Sequence, residues 1–431
     1  MRRPSRIFSH PFLVQFAVDR GNVKLDDETL TTLDKEVTAY EEASPSDVRQ
    51  ALVNRNEILS SYAISQAEQS STITPKQADA IRDRYDADSS LKFEVDTSKG
   101  VQGIEKAFDS QEFLNILRTF RWASNRGISR AELSMDLLAG IHGMLTGKLD
   151  VFIAAFRNVA PEVVATAKAG EGKFHLYGSG KPRQTDFVIV GNYHPVSHTQ
   201  ITKAVRDAIS FYKADPSLEN LNIFTAALYA IHPFSNGNKR VCRILEHALL
   251  RDLGFNRSNV YGHSYYYFKE LGRFYENLTR SLDTKNLIPT VNFAREAIFY
   301  SMMYVYQAGI KKKRREFVVA LQKRHGAKTD VLSAFVDKKE VGFAELRKSN
   351  FGKMTERTLI NHLNDFVRGE YILKRKVGRE TFYKLALDPA EERRMREIVH
   401  LCEKELTYLP AEMSAFLYPQ YEAPHIPGGS G

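Results

Sequence analysis

Residues 230–243 read AIHPFSNGNKRVCR. His232 is followed within eleven residues by an Asn-Gly-Asn turn and three cations, Lys239, Arg240 and Arg243. Residues 226–231 are apolar and read as a helix that Pro233 stops. Beyond the turn, Val241, Leu245, Ala248 and Leu249 recur at helical spacing. The stretch is therefore a loop entering a helix N-terminus. The first N–H groups of a helix lack partners and stand at the positive end of its dipole. Gly237 lets the backbone approach a ligand closely, and phosphate is the usual guest of such a loop. Arg240 and Arg243, three apart, share a helix face. A histidine beside a phosphate site is a natural general base, since it titrates near neutrality. The same residues also make an ordinary helix–loop–helix corner, and on physics alone both readings stand.

The elements around this stretch are mostly helical. Residues 26–85 carry helical periodicity, with Ser-Pro-Ser-Asp opening a second segment near residue 44. A polar stretch follows. Residues 104–147 are helical again, with a Ser129–Glu132 capping box and an end near Gly147. Residues 173–196 are rich in Gly and Pro around a β-prone core, Phe187, Val188, Ile189 and Val190, which predicts a hairpin. Residues 199–305 return to helix. From about residue 330 three short helices precede two strands around Gly378, the order of a winged helix. Its third helix is capped by Thr355 and aligns Leu359, Leu363 and Phe366 on one face.

A chain of 431 residues with 43% hydrophobic and 11% aromatic content can bury ordered cores. Its two cysteines, Cys242 and Cys402, exclude a disulfide framework and a multi-cysteine zinc site. No apolar run approaches the ~20 residues that span a bilayer. The basic N-terminus is broken by His10, Pro11 and Gln15 and is read as no signal peptide. A cytoplasmic protein without membrane contact is expected. The net charge of +9 is concentrated: Lys311 to Lys384 holds 20 Lys+Arg against 9 Asp+Glu, a balance of +11, so the rest sums to −2. Nucleic acid should be sought at that segment. There Arg357, Asn361 and His362 are base-contact candidates, and Lys374, Arg375, Lys376 and Arg379 phosphate-contact candidates. Such a domain also serves protein contacts. Trp122 and the tyrosines at 265–267 read as packing residues. His142, His194, His198 and His263 show no metal-ligand spacing.

The stretch at 232–243 resembles the signature of Fic-domain proteins, His-Pro-Phe-x-Asp/Glu-Gly-Asn-Gly/Lys-Arg-x-x-Arg. His232, Pro233, Phe234, Gly237, Asn238, Lys239, Arg240 and Arg243 match it. DLLAGIHGMLTG looks like the family's helix before its hairpin, and Gly180 to Pro195 like its flap. LGRFYENLTRSL looks like the helix that follows, though Arg273 stands two places before Tyr275 and the pattern is approximate there. The likeness covers most of residues 105–305. It implies a mainly α fold, a Fic-type helical core with a β-hairpin flap. The expected organisation is an N-terminal helical segment at 1–100 with an inhibitory-helix-like stretch, a Fic-like domain at 101–310, a basic winged-helix domain at 311–390, and a helix and loose tail at 391–431.

The resemblance also implies nucleotidyl transfer: a protein adenylyltransferase (AMPylase) moving AMP from ATP to a Ser, Thr or Tyr hydroxyl of a target protein. By that analogy His232 takes the hydroxyl's proton, Gly237 and Asn238 cradle the α- and β-phosphates, and Lys239, Arg240 and Arg243 add charge, the arginines at the outer phosphates. Phe187 to Val190 would clamp the target as an added strand. Two departures stand out. The family's acidic, magnesium-holding residue is Asn236 here, so Mg2+ or Mn2+ should be held weakly and catalysis reduced or altered. Upstream, NEILSSYAISQAE resembles the helix whose glutamate blocks ATP in many members, but Ser65 occupies the glutamate position, with Ser61 four before it. In that register Arg243 has no carboxylate partner and stays free for a phosphate. Rival readings are a nucleotide-sensing DNA-binding regulator with a weakly active or inactive Fic-like domain, and a relative that transfers another phosphate-containing group or removes AMP. The sequence leaves self-association into a homo-oligomer open.

Overall fold

The computed structural model describes residues 6–7, 17–18, 20–68, 71–161, 179–186, 190, 192–325, 331–386, 389–406, 408–411 and 413–414. The chain divides into two units, Met1–Met303 and Tyr304–Gly431. The fold is mainly helical.

In the first unit, β1 (Arg6–Ile7) and β2 (Ala17–Val18) pair antiparallel. The helices α1 (Asp27–Glu42), α2 (Ser46–Ser65), α3 (Pro75–Ala87) and α4 (Gly100–Arg126) follow. After them come α5 (Met135–Thr146), α6 (Leu149–Val159), α7 (Ile201–Ala214), α8 (Leu218–Ile231), α9 (Asn238–Asp252), α10 (His263–Lys269) and α11 (Leu271–Asp283). The helix α12 (Ile288–His325) contains the boundary between the units.

Local chemistry sets the helix ends. Asp26 accepts the Thr29 N–H and starts α1. Thr74 and Gln77 form a reciprocal capping box on α3, with Pro75 at its first position. Gly127, at φ +69°, ends α4. The Ser129–Glu132 box caps only a 3-10 turn, Arg130–Glu132. The α5 helix starts afresh at Met135 under its own cap, Ser134. α8 is buried along its whole length, so its two faces pack against neighbours on both sides and its sequence lacks a polar stripe. α4 is its counterpart, with Phe108, Phe113, Leu114 and Phe120 fully enclosed.

A buried polar cluster seats α2. Asn56 Nδ2 donates to the Asn259 carbonyl at 3.0 Å and to Asn259 Oδ1 at 2.8 Å, and Ser60 Oγ donates to Asn56 Oδ1 at 2.9 Å. The segment before α10 passes so close that a Cβ on Gly262 would lie 2.0 Å from Ser60 Oγ and 2.3 Å from Asn56 Oδ1.

In the second unit, α13 (Ala334–Asp337), β3 (Val341–Gly342), α14 (Phe343–Ser349) and α15 (Glu356–Arg368) precede β4 (Ile372–Val377), β5 (Glu380–Leu385) and α16 (Pro389–Glu405). The strands form an antiparallel sheet in the order β3-β5-β4, with Lys374 opposite Tyr383. Phe335, Leu346, Leu359, Leu363, Phe366 and Tyr383 share its core. β3 is two residues long and escaped sequence reading, since so short a strand has no period to detect. Of β4 only Ile372 is buried, while Phe382, Tyr383 and Leu385 of β5 opposite it are buried.

Among the described residues no single helix is long and apolar enough to cross a membrane.

Gly262→Ala should force Ser60 and Asn56 apart and lower stability by about 1–3 kcal/mol, the usual range for overpacking. Urea unfolding of the two proteins measures it, and an unchanged midpoint would contradict the tight seating of α2.

Candidate functional site

The chain turns from α8 into α9 within residues 232–237. His232 caps α8 in the left-handed region, φ +52° and ψ +63°, with its N–H donating to the Leu228 carbonyl at 3.1 Å. Gly237, at φ +76°, begins α9. The Asn238 side chain holds the turn closed. Its Oδ1 accepts the Phe234 N–H at 2.9 Å and its Nδ2 donates to the Phe234 carbonyl at 2.7 Å. Both amide groups are thus spent on the loop, and what Asn238 can offer an anion is its backbone N–H at the first turn of α9.

His142 of α5 supports the loop from below. Its ring stacks on Phe234 with centroids 4.1 Å apart and planes 7° from parallel. Its Nδ1 accepts the Gly180 N–H at 3.0 Å, which puts the proton on Nε2, and Nε2 donates to the Asn236 carbonyl at 3.1 Å. Burial pushes its pKa down to about 4, so the ring is neutral. A Cβ on Gly237 would stand 3.5 Å from this ring, in a backbone conformation that already disfavours one.

His232 is partly exposed, yet its Nδ1 is sealed from solvent. The Tyr229 ring meets it edge-on at 5.9 Å. Burial, then the charges of Arg183 and Lys239, push its pKa down to about 3. It is a neutral imidazole at pH 7, able to accept a proton. A polyanion bound nearby would raise that pKa and strengthen the base.

The three cations do not stand as expected. Arg240 is buried and points away from the loop, with Nη1 2.6 Å from Glu112 Oε1 on α4. Arg243 has a carboxylate partner after all: its Nη1 lies 2.9 Å from Glu246 Oε2, one turn further along α9, and its guanidinium covers the Tyr267 ring. The expectation that Arg243 is left free is therefore wrong. A substitution at position 65 cannot liberate it, because the pairing residue lies on its own helix. Glu246 also accepts the Tyr267 hydroxyl at 3.1 Å and lies 3.2 Å from His263 Nε2. Despite complete burial its pKa falls to about 2, its contacts with His263, Arg243 and Tyr267 outweighing desolvation. Lys239 is partly exposed. Its Nζ donates to the Ala67 carbonyl at 3.3 Å and to the Tyr275 hydroxyl.

The end of α2 does reach this site. Ala63 and Ala67 line a cleft with Lys239, Arg243 and Phe274. Ser61 is fully buried, and Ser65 Oγ donates to the Tyr62 carbonyl at 2.7 Å rather than to the site. An adjoining cleft is lined by Tyr229, Lys239, Arg243, Tyr267 and Leu278.

Asn236 does not suit a protein-held magnesium ion. Its Oδ1 accepts the Gly237 N–H at 2.6 Å and is turned back into the turn. Among the described residues no group of three His, Cys, Asp or Glu is placed to hold a metal ion. Of the expected flap, Phe187, Val188 and Ile189 lie outside the described residues, and Val190 pairs antiparallel with Tyr193. In the second unit Arg357 and Asn361 are exposed on α15 with His362 beside them partly buried. Lys374, Arg375, Lys376 and Arg379 are exposed on the β4–β5 hairpin.

Sequence reading missed His142, Glu112, Glu246 and Arg183. The three on helices sit within apolar or helical runs that read as packing, and Arg183 sits in a Gly/Pro-rich loop with no local signal.

Residues 132–250 match the Fic/DOC family. No curated protein matches the chain. Among solved structures, a Fic family protein from Desulfovibrio desulfuricans is 16% identical at a TM-score of 0.44, covering 83% of this chain and 96% of that one. A Fic-1 structure from C. elegans is 17% identical at 0.45, covering 66% and 72%. A Fic domain containing signaling protein from Bacteroides thetaiotaomicron is 12% identical at 0.45, covering 65% and 97%.

The depressed pKa of His232 carries a sign. Between 6.5 and about 3 the folded chain binds fewer protons at this site than the unfolded chain does, so stability is lost as pH falls through that window. The His232→Ala protein should lose less stability than the parent over the same range in urea unfolding. Equal losses would show that His232 titrates normally when folded.

Proposed function

We propose that this chain, which carries a Fic/DOC-family domain over residues 132–250, transfers the AMP moiety of ATP to a hydroxyl side chain of a protein. Transfer of nucleotide or other phosphate-containing groups is general to the family. The finer reading is carried by one observation: a neutral, partly exposed His232 ring stands at one end of a turn whose other end is the glycine-led N-terminus of α9. A base and an anion site are thus held six residues apart by the same loop.

In this reading the triphosphate rests on the first-turn N–H groups of α9 and on Lys239. The target's oxygen attacks the α-phosphorus as its proton passes to His232. The bond from the α-phosphorus to the bridging oxygen breaks, and pyrophosphate leaves with the electron pair. Negative charge grows on phosphoryl oxygens, where preorganised N–H groups act most strongly. Arg243, whose Nη1 is held by Glu246, lines the same cleft.

The test uses ATP labelled at the α-phosphate with a lysate of protein substrates. Label should appear on protein and fall by at least about a hundredfold with His232→Ala, the scale of a lost general base. Undiminished labelling by the variant would refute the role of His232, and absence of labelling by the parent would refute the transfer.

A specific feature favours a second activity in the other unit. The order of α13 to β5 supports a winged-helix reading, and its hairpin exposes Lys374, Arg375 and Arg379, with Arg375 also 3.3 Å from Glu340. We read this as a duplex DNA-binding surface, with α15 offering Arg357 and Asn361 to base edges. Fluorescence anisotropy with a mixed-sequence duplex should show binding that weakens steeply with salt. Replacing Lys374, Arg375 and Arg379 together by Ala should weaken it at least tenfold and flatten the salt slope by up to about three. No binding at about 50 mM salt would leave this unit to protein contacts.

A further inference from the structure

Arg183 belongs to no motif, yet its side chain is almost wholly buried in a loop. Its backbone N–H donates to the Pro233 carbonyl at 2.9 Å. Its Nε donates to the His232 carbonyl at 2.9 Å, its Nη1 to the Thr185 carbonyl at 2.7 Å, and its Nη2 to the Val196 carbonyl. Nη1 also lies 3.2 Å from Asp186 Oδ1. Asp186 continues the brace to the returning limb. It accepts the His198 N–H at 2.6 Å and the Ser197 hydroxyl at 3.1 Å, and His198 Nδ1 lies 3.1 Å from Oδ1. One planar fork thus spans three parts of the backbone: the outgoing limb at 185, the returning limb at 196, and the carbonyl of His232.

We infer that Arg183 is a positioning residue that sets the distance between His232 and the neck of the loop running from residue 183 to residue 198. The fork geometry is the reason for arginine. A guanidinium presents five N–H groups in a fixed plane, whereas a lysine ammonium is a single point that cannot reach carbonyls on three sides. The left-handed backbone of His232 needs such a hold, because a non-glycine residue there is strained and lasts only where its surroundings fix it. The charge also helps keep His232 neutral. The consequence for catalysis rests on the transfer reading: the residues between the two limbs are those expected to receive the target, so the neck would set where its hydroxyl meets His232. The nucleotide, held by α9, would not feel it.

The experiment compares the full chain with Arg183→Lys and with Asp186→Asn, by amide hydrogen exchange and by label transfer. In Arg183→Lys, exchange should quicken at least tenfold at residues 183–186 and 192–198 and around His232, while α9 keeps its protection. In Asp186→Asn, whose side chain is half-exposed, the gain should stay on the returning limb at 196–198. Transfer by Arg183→Lys should fall at least tenfold in kcat with the KM for ATP within twofold. Unchanged exchange in the loop would overturn the inference. So would protection lost throughout the first unit, since Arg183 would then be an ordinary core residue. A parallel rise in the KM for ATP would overturn its separation from nucleotide binding. If the parent transfers no label, the proposed function fails, and the exchange data still decide what Arg183 holds.

Discussion

The whole site hangs on closing one turn. Two buried helices must be joined through residues 232–237, and the Asn238 amide closes that joint by bonding both polar groups of Phe234. Neither of those groups has water to fall back on, because Phe234 is fully buried. A buried pair left unmade costs about 1–3 kcal/mol for each group. That penalty locks the loop, and the loop then dictates everything else: where His232 sits, where the α9 N-terminus points, and which face of α9 carries Lys239.

The supports around that turn come from far away in the chain. His142 reaches from α5, Arg183 from the segment that precedes α7, and Glu112 from α4. His142 and Arg183 each have a second attachment outside the motif. His142 ties Asn236 to Gly180, while Arg183 ties His232 to both limbs of its loop. The motif is therefore held from several directions by rigid elements, which is what a site that must keep reacting groups within a fraction of an ångström requires.

Much of the layout was legible in the sequence because it is local. Pro233 after an apolar run marks the end of α8, Gly237 marks the beginning of α9, and Thr355 marks the start of α15. The partners were not legible because pairing is a matter of three-dimensional neighbours. Nothing in the spacing of Arg240 reveals Glu112, which lies 128 residues before it. Glu246 was within reach of sequence reasoning, since a carboxylate three places after Arg243 on one helix face is a standard ion pair. The length of the capped segment at Ser129–Glu132 was also misjudged, since a capping box fits a single 3-10 turn as well as a helix.

The pairing of Arg240 with Glu112 and of Arg243 with Glu246 bears on how a ligand arrives. Each pair sums to zero charge within a few ångströms, so seen from a Debye length away the motif presents little more than Lys239. A cleft lined by bare guanidiniums would draw nucleotides in by electrostatic steering and bind them faster at low salt. This one does not cast that field. Its encounter with a polyphosphate is governed by ordinary diffusion, and its choice among anions is made at contact. There only a ligand of higher charge density than a carboxylate can compete with Glu246 for Arg243.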